Sequence, residues 1–253
     1  GNWVFGKPHG SVQFYFPDNG LLQYEGGLKK MDDGSFVFQG QGTLYNQTGQ
    51  SVYQGLWEVG TRSGNGTAWL EDGSIYSGNW VDDYPDGKGT YLFPDGTEYE
   101  GGFIRGKKHG QGTFKEADGF VSYDGEWKDG QRFGKGRVNK RDSSSYDGDW
   151  LDGKPHGNGM FTYPDGRVYT GTMKQGLRQG LGELRRSDGS IAYEGEWDRN
   201  LRHGKGKAYS ASGLIKFDGD FFEGNQSGTG SEYRDDGTRS EEHTSELQSR
   251  QYL

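Results

Sequence analysis

The chain has no cysteine among its 253 residues. That removes disulfides, thiolate zinc ligands and thiol nucleophiles, and it fits a reducing, cytoplasmic setting. It is also poor in apolar residues, with 29% hydrophobic positions and a mean hydropathy of −1.03. No apolar run approaches the roughly 20 residues of a membrane-spanning helix. Basic residues are in deficit, with 29 Lys and Arg against 37 Asp and Glu, a net charge of −8. Nucleic acid is therefore not an expected partner. So polar a composition leans by itself towards disorder. Aromatic content opposes that reading: 16 Tyr, 14 Phe and 7 Trp are present, and each large ring can bury about 150–250 Å². The 48 glycines are regularly spaced. Asn46, Asn65 and Asn225 open Asn-x-Ser/Thr triplets, a glycosylation pattern that chance explains in a chain of this composition.

A repeat organises what is present. Tyr-x-Gly-x-aromatic or a close variant recurs at Tyr53, Tyr76, Tyr99, Tyr123, Tyr146, Tyr169 and Tyr193, with Phe217 in a later copy and Tyr24 in an irregular earlier one. From Tyr53 onward the steps are 23, 23, 24, 23, 23, 24 and 24 residues. In a strand, residues i, i+2 and i+4 share a face. Tyr99, Gly101 and Phe103 therefore point one way, and the glycine leaves a slot for a neighbouring ring to cover. Gly110, Gly112 and Phe114 repeat the alternation on the returning strand. Seven residues past the Tyr stand Gly60, Gly106, Gly130, Gly153, Gly176 and Gly224, with Asp83 and Asn200 as exceptions. These residue types point to positive φ in a hairpin turn. A second turn is marked by Gly73, Gly96, Gly119, Gly166 and Gly189, with Ser143 out of pattern.

One repeat is thus a β-hairpin that cannot stand alone. Ordering about 23 residues costs roughly 1–2 kcal/mol each, whereas each buried large apolar side chain returns about 1.5–3 kcal/mol. Neighbouring repeats must supply the rest. The expected fold is all-β, an elongated twisted antiparallel sheet of tandem hairpins.

The segments YEGGFIRGKKHGQGTF, YDGEWKDGQRFGKGRV, YDGDWLDGKPHGNGMFTYPDG and YEGEWDRNLRHGKGKA resemble MORN repeats. The resemblance covers residues 1–238: a partial repeat at 1–23, an irregular one at 24–52 and regular repeats at 53–238. Val12 in place of Gly, the insertion after Tyr24 and Ser143 depart from the pattern. The chain begins inside a repeat, and residues 239–249 resemble one reading frame of a sequencing adapter. The expectation is therefore an array cut at both ends, with a non-native tail at 239–253.

The chemistry-bearing patterns are weak. Gly-x-x-x-x-Gly-Lys occurs at Gly1–Lys7, Gly101–Lys107 and Gly148–Lys154. A nucleotide loop needs Ser or Thr next and a helix behind it; here Pro8, Lys108 and Pro155 follow within hairpins. His9, His109, His156 and His203 share a register, but a two-strand step is about 9.6 Å. Alternate repeats then lie too far apart to share a zinc ion. No catalytic site, metal or cofactor is expected. Basic residues eight and nine past the Tyr are the candidate binding residues: Lys7, Arg62, Lys107, Lys108, Arg132, Lys154, Arg178 and Arg202. Stacked hairpins would align them as a basic rim. Acidic residues Glu100, Asp124, Glu126, Asp147, Asp149, Glu194, Glu196, Asp218 and Asp220 lie elsewhere in the repeat.

The resemblance implies a non-catalytic scaffold for other proteins, able to self-associate through terminal strands. Its alternatives are a peripheral module for anionic phospholipids, as in membrane-associated members such as junctophilins, and the regulatory array of a larger enzyme. Similar arrays occur in plant phosphatidylinositol phosphate kinases and a SET-domain methyltransferase. Cytoskeletal or membrane association are the corresponding placements.

Overall fold

Alternating rings and glycines, punctuated every ten or so residues by turn formers, demand short strands and tight reversals. The computed structural model describes the backbone of residues 2–4 and 7–240 and the side chains of 10–240. Among these residues there is no helix, and every strand pairing is antiparallel.

The chain divides into two compact units, Gly1–Gln131 and Arg132–Leu253. In the first, β1 (Asn2–Val4) pairs with β2 (Lys7–His9). Then follow β3 (Val12–Tyr15), β4 (Leu22–Lys30), β5 (Phe36–Tyr45), β6 (Ser51–Glu58), β7 (Thr61–Trp69) and β8 (Ile75–Val81). The unit continues with β9 (Tyr84–Leu92), β10 (Glu98–Ile104), β11 (Lys107–Lys115) and β12 (Val121–Lys128). Each strand from β3 to β12 pairs with the next. The second unit begins within β13 (Gln131–Asn139) and holds β14 (Ser145–Leu151), β15 (Lys154–Thr162), β16 (Val168–Lys174) and β17 (Leu177–Arg185). It ends with β18 (Ile191–Asp198), β19 (Leu201–Tyr209), β20 (Ile215–Phe222) and β21 (Asn225–Glu232), again paired in succession.

Register places glycine opposite glycine on strand after strand. In the first unit Gly26, Gly42, Gly55, Gly66, Gly78, Gly89, Gly101, Gly112 and Gly125 pair in a file. A second file runs from Gly136 to Gly230. The reason lies in the Tyr. A Cβ at Gly101 would stand 2.5 Å from Tyr99 Oη, and one at Gly112 only 2.3 Å from it. The slot is therefore filled by the repeat's own Tyr folded across its hairpin, and not by a neighbouring ring as the alternation suggested. Tyr99 Oη donates to the Gly102 carbonyl at 3.0 Å, and the same bond recurs at Tyr24, Tyr53, Tyr76, Tyr123, Tyr146, Tyr169 and Tyr193. Burial pushes the phenols of Tyr24, Tyr53, Tyr99, Tyr169 and Tyr193 up to about 12.

Rings tie each repeat to the one before. Trp80 meets its own Tyr76 edge-on at 5.0 Å and the preceding Tyr53 at 5.4 Å. Its indole N–H donates to the Gly66 carbonyl at 3.0 Å. Trp127, Trp150 and Trp197 repeat that bond to Gly112, Gly136 and Gly182. Edge contacts of this kind are worth about 0.5–1.5 kcal/mol each beyond area burial. The ladder changes character at Met173, a buried thioether at the repeat position that Trp or Phe holds elsewhere.

Both turns match their residues. In the first, two successive residues have positive φ, as in Asp152 (49°) and Gly153 (76°), a type I′ hairpin turn. In the second, Gly73 N–H bonds the Leu70 carbonyl and Leu70 N–H that of Ser74. Asp72 accepts the Ser74 N–H at 2.9 Å. Ser143 takes the glycine's place at φ 67°. The insertion after Tyr24 lengthens the β4–β5 hairpin through the pairs Leu28–Phe38, Lys29–Val37 and Lys30–Phe36. In the segment expected to be non-native, Arg239 bridges Tyr233 and Ser240 N–H donates to the Glu232 carbonyl. Residues 241–253 lie outside the described residues.

A candidate interaction surface

Strand alternation divides the expected rim. Residues eight and nine past the Tyr are neighbours in one strand, so they point to opposite faces. Lys107 and Lys154, in the eighth place, are exposed beside Ile104 and Leu151 across the hairpin. Arg62, Lys108, Arg132, Arg178 and Arg202, in the ninth, are half-buried on the ring-bearing face. Arg62 lies 4.2 Å over Trp80, Arg132 5.2 Å over Trp150 and Arg178 4.0 Å over Trp197. Arg202 covers Tyr193 at 5.1 Å. Lys108 Nζ stands within 4.7–5.1 Å of four rings, those of Phe93, Tyr99, Phe114 and Trp127. The eight residues thus do not form one rim, and the side chain of Lys7 lies outside the described residues. A cation over a desolvated ring is worth about 2 kcal/mol or more, against about 0.5–1 when exposed.

The same place explains the two odd turn residues. From the repeat of Tyr76 onward the seventh residue sends its N–H to the ninth carbonyl of the preceding repeat, as Gly106 does to Pro85 and Gly224 to Arg202. Asp83 and Asn200, at φ 68° and 73°, do this and add a side-chain acceptor. Asp83 Oδ1 takes the backbone N–H of Arg62 at 2.9 Å and its Nε–H at 3.0 Å. Asn200 Oδ1 takes the Arg178 N–H at 2.9 Å, and its carbonyl takes a guanidinium N–H at 2.6 Å. The first pair carries an ion bridge, whereas the second is neutral on the Asn side.

The aspartates of the second turn are occupied by local structure. Backbone and hydroxyl hydrogen bonds from Thr97 hold Asp95 below the usual carboxylate range. On the face away from the rings, Lys135 bridges Asp149 at 2.5 Å and Lys205 bridges Asp220 at 2.7 Å; exposed pairs of this kind contribute little to stability. Among the described residues no three His, Cys, Asp or Glu side chains converge on a point.

One row was missed in the sequence. At the first-turn end of successive hairpins an exposed large apolar side chain recurs. In the first unit these are Val81, Tyr84 and Ile104, at 52%, 54% and 49% exposure; in the second they are Leu151, Leu177, Leu201 and Phe222. They stand five or eight residues past the repeat Tyr or Phe. Their signal was available, because a large apolar residue one step out of phase with the rings must face outward.

The family model described as MORN repeat matches residues 1–21, 53–75, 76–98, 99–120, 123–138, 146–166, 169–191, 193–215 and 217–239. Residues 24–52 fall outside those matches although β4 and β5 there keep the hairpin and the Tyr lock. No curated protein matches the chain. Among solved structures, the wild-type TCP10 domain of Danio rerio CPAP is 14% identical, with 74% of this chain and 100% of that chain covered and a TM-score of 0.31. A point mutant of the same domain is 16% identical, with 74% and 78% covered and a TM-score of 0.23. Scores this low bear on neither fold nor function.

Proposed function

Since the chain belongs to the MORN-repeat family, we propose that it is a non-catalytic scaffold that docks other proteins along its repeated hairpin ends. The observation supporting this is the periodic apolar row. Isolated exposed apolar residues are ordinary, but contiguous ones mark interaction sites. Here Val81, Tyr84 and Ile104 recur at one end of adjacent hairpins. The Tyr hydroxyls, the Trp N–H groups and the turn aspartates are meanwhile committed to the fold, which leaves them unsuited to acid–base work.

A second reading rests on Lys107 beside Ile104 and Lys154 beside Leu151, a pairing that also suits an anionic bilayer surface. The net charge of −8 disfavours it. The cytoplasm, and association of copies through terminal strands, belong to the same proposal.

The test is capture of binding partners by the intact chain and by a Val81→Lys, Ile104→Lys variant with unchanged melting. A scaffold of this kind loses a specific partner by tenfold or more in the variant. Retention of every partner would remove the row from consideration.

A further inference from the structure

Among the described residues, the second unit carries arginines whose charge no carboxylate meets. Arg62 in the first unit has the Asp83 carboxylate at 3.0 Å. Its counterpart Arg178 has the neutral Asn200, and Arg202 is followed at that place by Gly224. Among the described residues no carboxylate lies within 4.0 Å of the guanidinium of Arg178, Arg186 or Arg202. Arg186 donates to the carbonyls of Ile191 and Tyr209. Arg178 Nε is buried without a partner. Arg202 stands over Tyr193 and Phe221, at 5.1 and 5.9 Å. Burial holds both Arg178 and Arg202 below the usual arginine range, and Arg186 adds its repulsion at Arg202. A carboxylate arriving at these partly desolvated, ring-braced groups would gain charge-assisted hydrogen bonds from the terminal N–H groups that remain.

We propose that Arg178 and Arg202, with Arg186, form an anion-accepting track on the ring face of the second unit that receives an acidic segment of a partner protein. The inference rests on the protein-docking reading and adds the chemistry of the partner. Arg178 is on β17 and Arg202 on β19, two strands apart, a separation of about 9.6 Å. In a fully extended strand, residues three apart span about 10 Å but point to opposite sides. In the polyproline II conformation three residues make one turn and rise about 9.3 Å, so every third side chain faces the same way at the right interval. An acidic residue at each third position of such a segment meets both arginines. A bilayer contacts protruding groups first, and these two are half-buried, which favours the peptide.

The probe is a labelled twelve-residue peptide with Glu at every third position and Pro between, titrated against the full chain by fluorescence anisotropy. Three controls are used: the same composition with the four Glu contiguous, Lys in place of Glu, and vesicles containing phosphatidylserine. The spaced Glu peptide should bind at least fivefold tighter than the contiguous one, the Lys peptide not at all, and the vesicles should not compete. An Arg178→Gln, Arg202→Gln variant should lose tenfold or more. Arg62→Gln, with its charge already met by Asp83, should stay within twofold. Arg202→Lys keeps the charge and the ring contact and should fall between, which separates loss of the site from loss of the fold. No binding of the spaced peptide, equal binding of the Lys peptide, equal loss in Arg62→Gln, or displacement by vesicles would each overturn the proposal. The apolar row at the hairpin ends is tested separately, so failure here leaves the docking reading standing.

Discussion

Replacing Gly112 by Ala puts the Tyr lock under direct strain. The new Cβ would lie 2.3 Å from Tyr99 Oη and 2.5 Å from both Cε2 and Cζ, so the ring must leave its place. Leaving breaks the bond from Tyr99 Oη to the Gly102 carbonyl, worth about 0.5–1.5 kcal/mol. It also loosens the edge contacts to Phe103 and Trp127, both at 5.2 Å, worth about 0.5–1.5 kcal/mol each. Partial relaxation leaves an expected cost of about 2–4 kcal/mol, at and above the upper part of the roughly 1–3 kcal/mol typical of overpacked cores. Urea unfolding followed by Trp fluorescence measures it, with a double-mutant cycle to assign the cause. In a Tyr99→Ala background the obstruction is gone, and Gly112→Ala should then cost less than about 1 kcal/mol. Gly110→Ala is the control: its Cβ meets nothing within 4 Å but its φ is 69°. Its cost of about 1–2 kcal/mol should come from the backbone alone and be indifferent to Tyr99. Costs of Gly112→Ala and Tyr99→Ala that add within about 0.5 kcal/mol would refute the lock.

The buried phenols set an alkaline limit. Their folded pKa is raised from 10.0 to about 12, so the folded state holds protons that the unfolded state releases. Stability is complete below pH 10 and falls as pH rises from 10 through 12; phenolate absorbance should rise together with loss of the circular dichroism signal, and ionisation of these tyrosines near 10 in an intact fold would contradict it. Ser143→Gly should raise the unfolding midpoint by up to about 1 kcal/mol in stability, because Ser143 sits at φ 67° where a Cβ is penalised; an unchanged or lower midpoint counts against the strain. Trp150→Ala removes the N–H bond to Gly136 and the 5.3 Å contact with Tyr146, and should cost about 3–5 kcal/mol. Melting at the parent temperature would show that the ring ladder carries little.

The hairpin and both turns were legible because each is local. Period-two alternation assigns the strands, and positive-φ residues at fixed offsets assign the reversals. What stayed hidden depends on contacts beyond a single strand. Nothing in the spacing says that Tyr99 folds over its own hairpin, since a ring above a glycine slot could come from either side. Asp83 and Asn200 read only as tolerated replacements for Gly, because their partners Arg62 and Arg178 are more than twenty residues away. The basic residues were assigned to one rim by sequence position. Strand alternation alone would have separated Lys107 from Lys108, and the ring beneath Lys108 explains why a cation is favoured there.

Vesicle flotation of the unmodified chain tests the central functional claim most directly. Vesicles carrying phosphatidylserine and a phosphoinositide, at about 0.1 M salt where the Debye length is near 10 Å, should leave the protein at the bottom of the gradient. The reason is that five of the eight candidate cations are half-buried over rings and do not protrude towards a bilayer, and the net charge is −8. Strong flotation that weakens with salt and disappears when Lys107 and Lys154 are neutralised would contradict the account and make the lipid surface the partner.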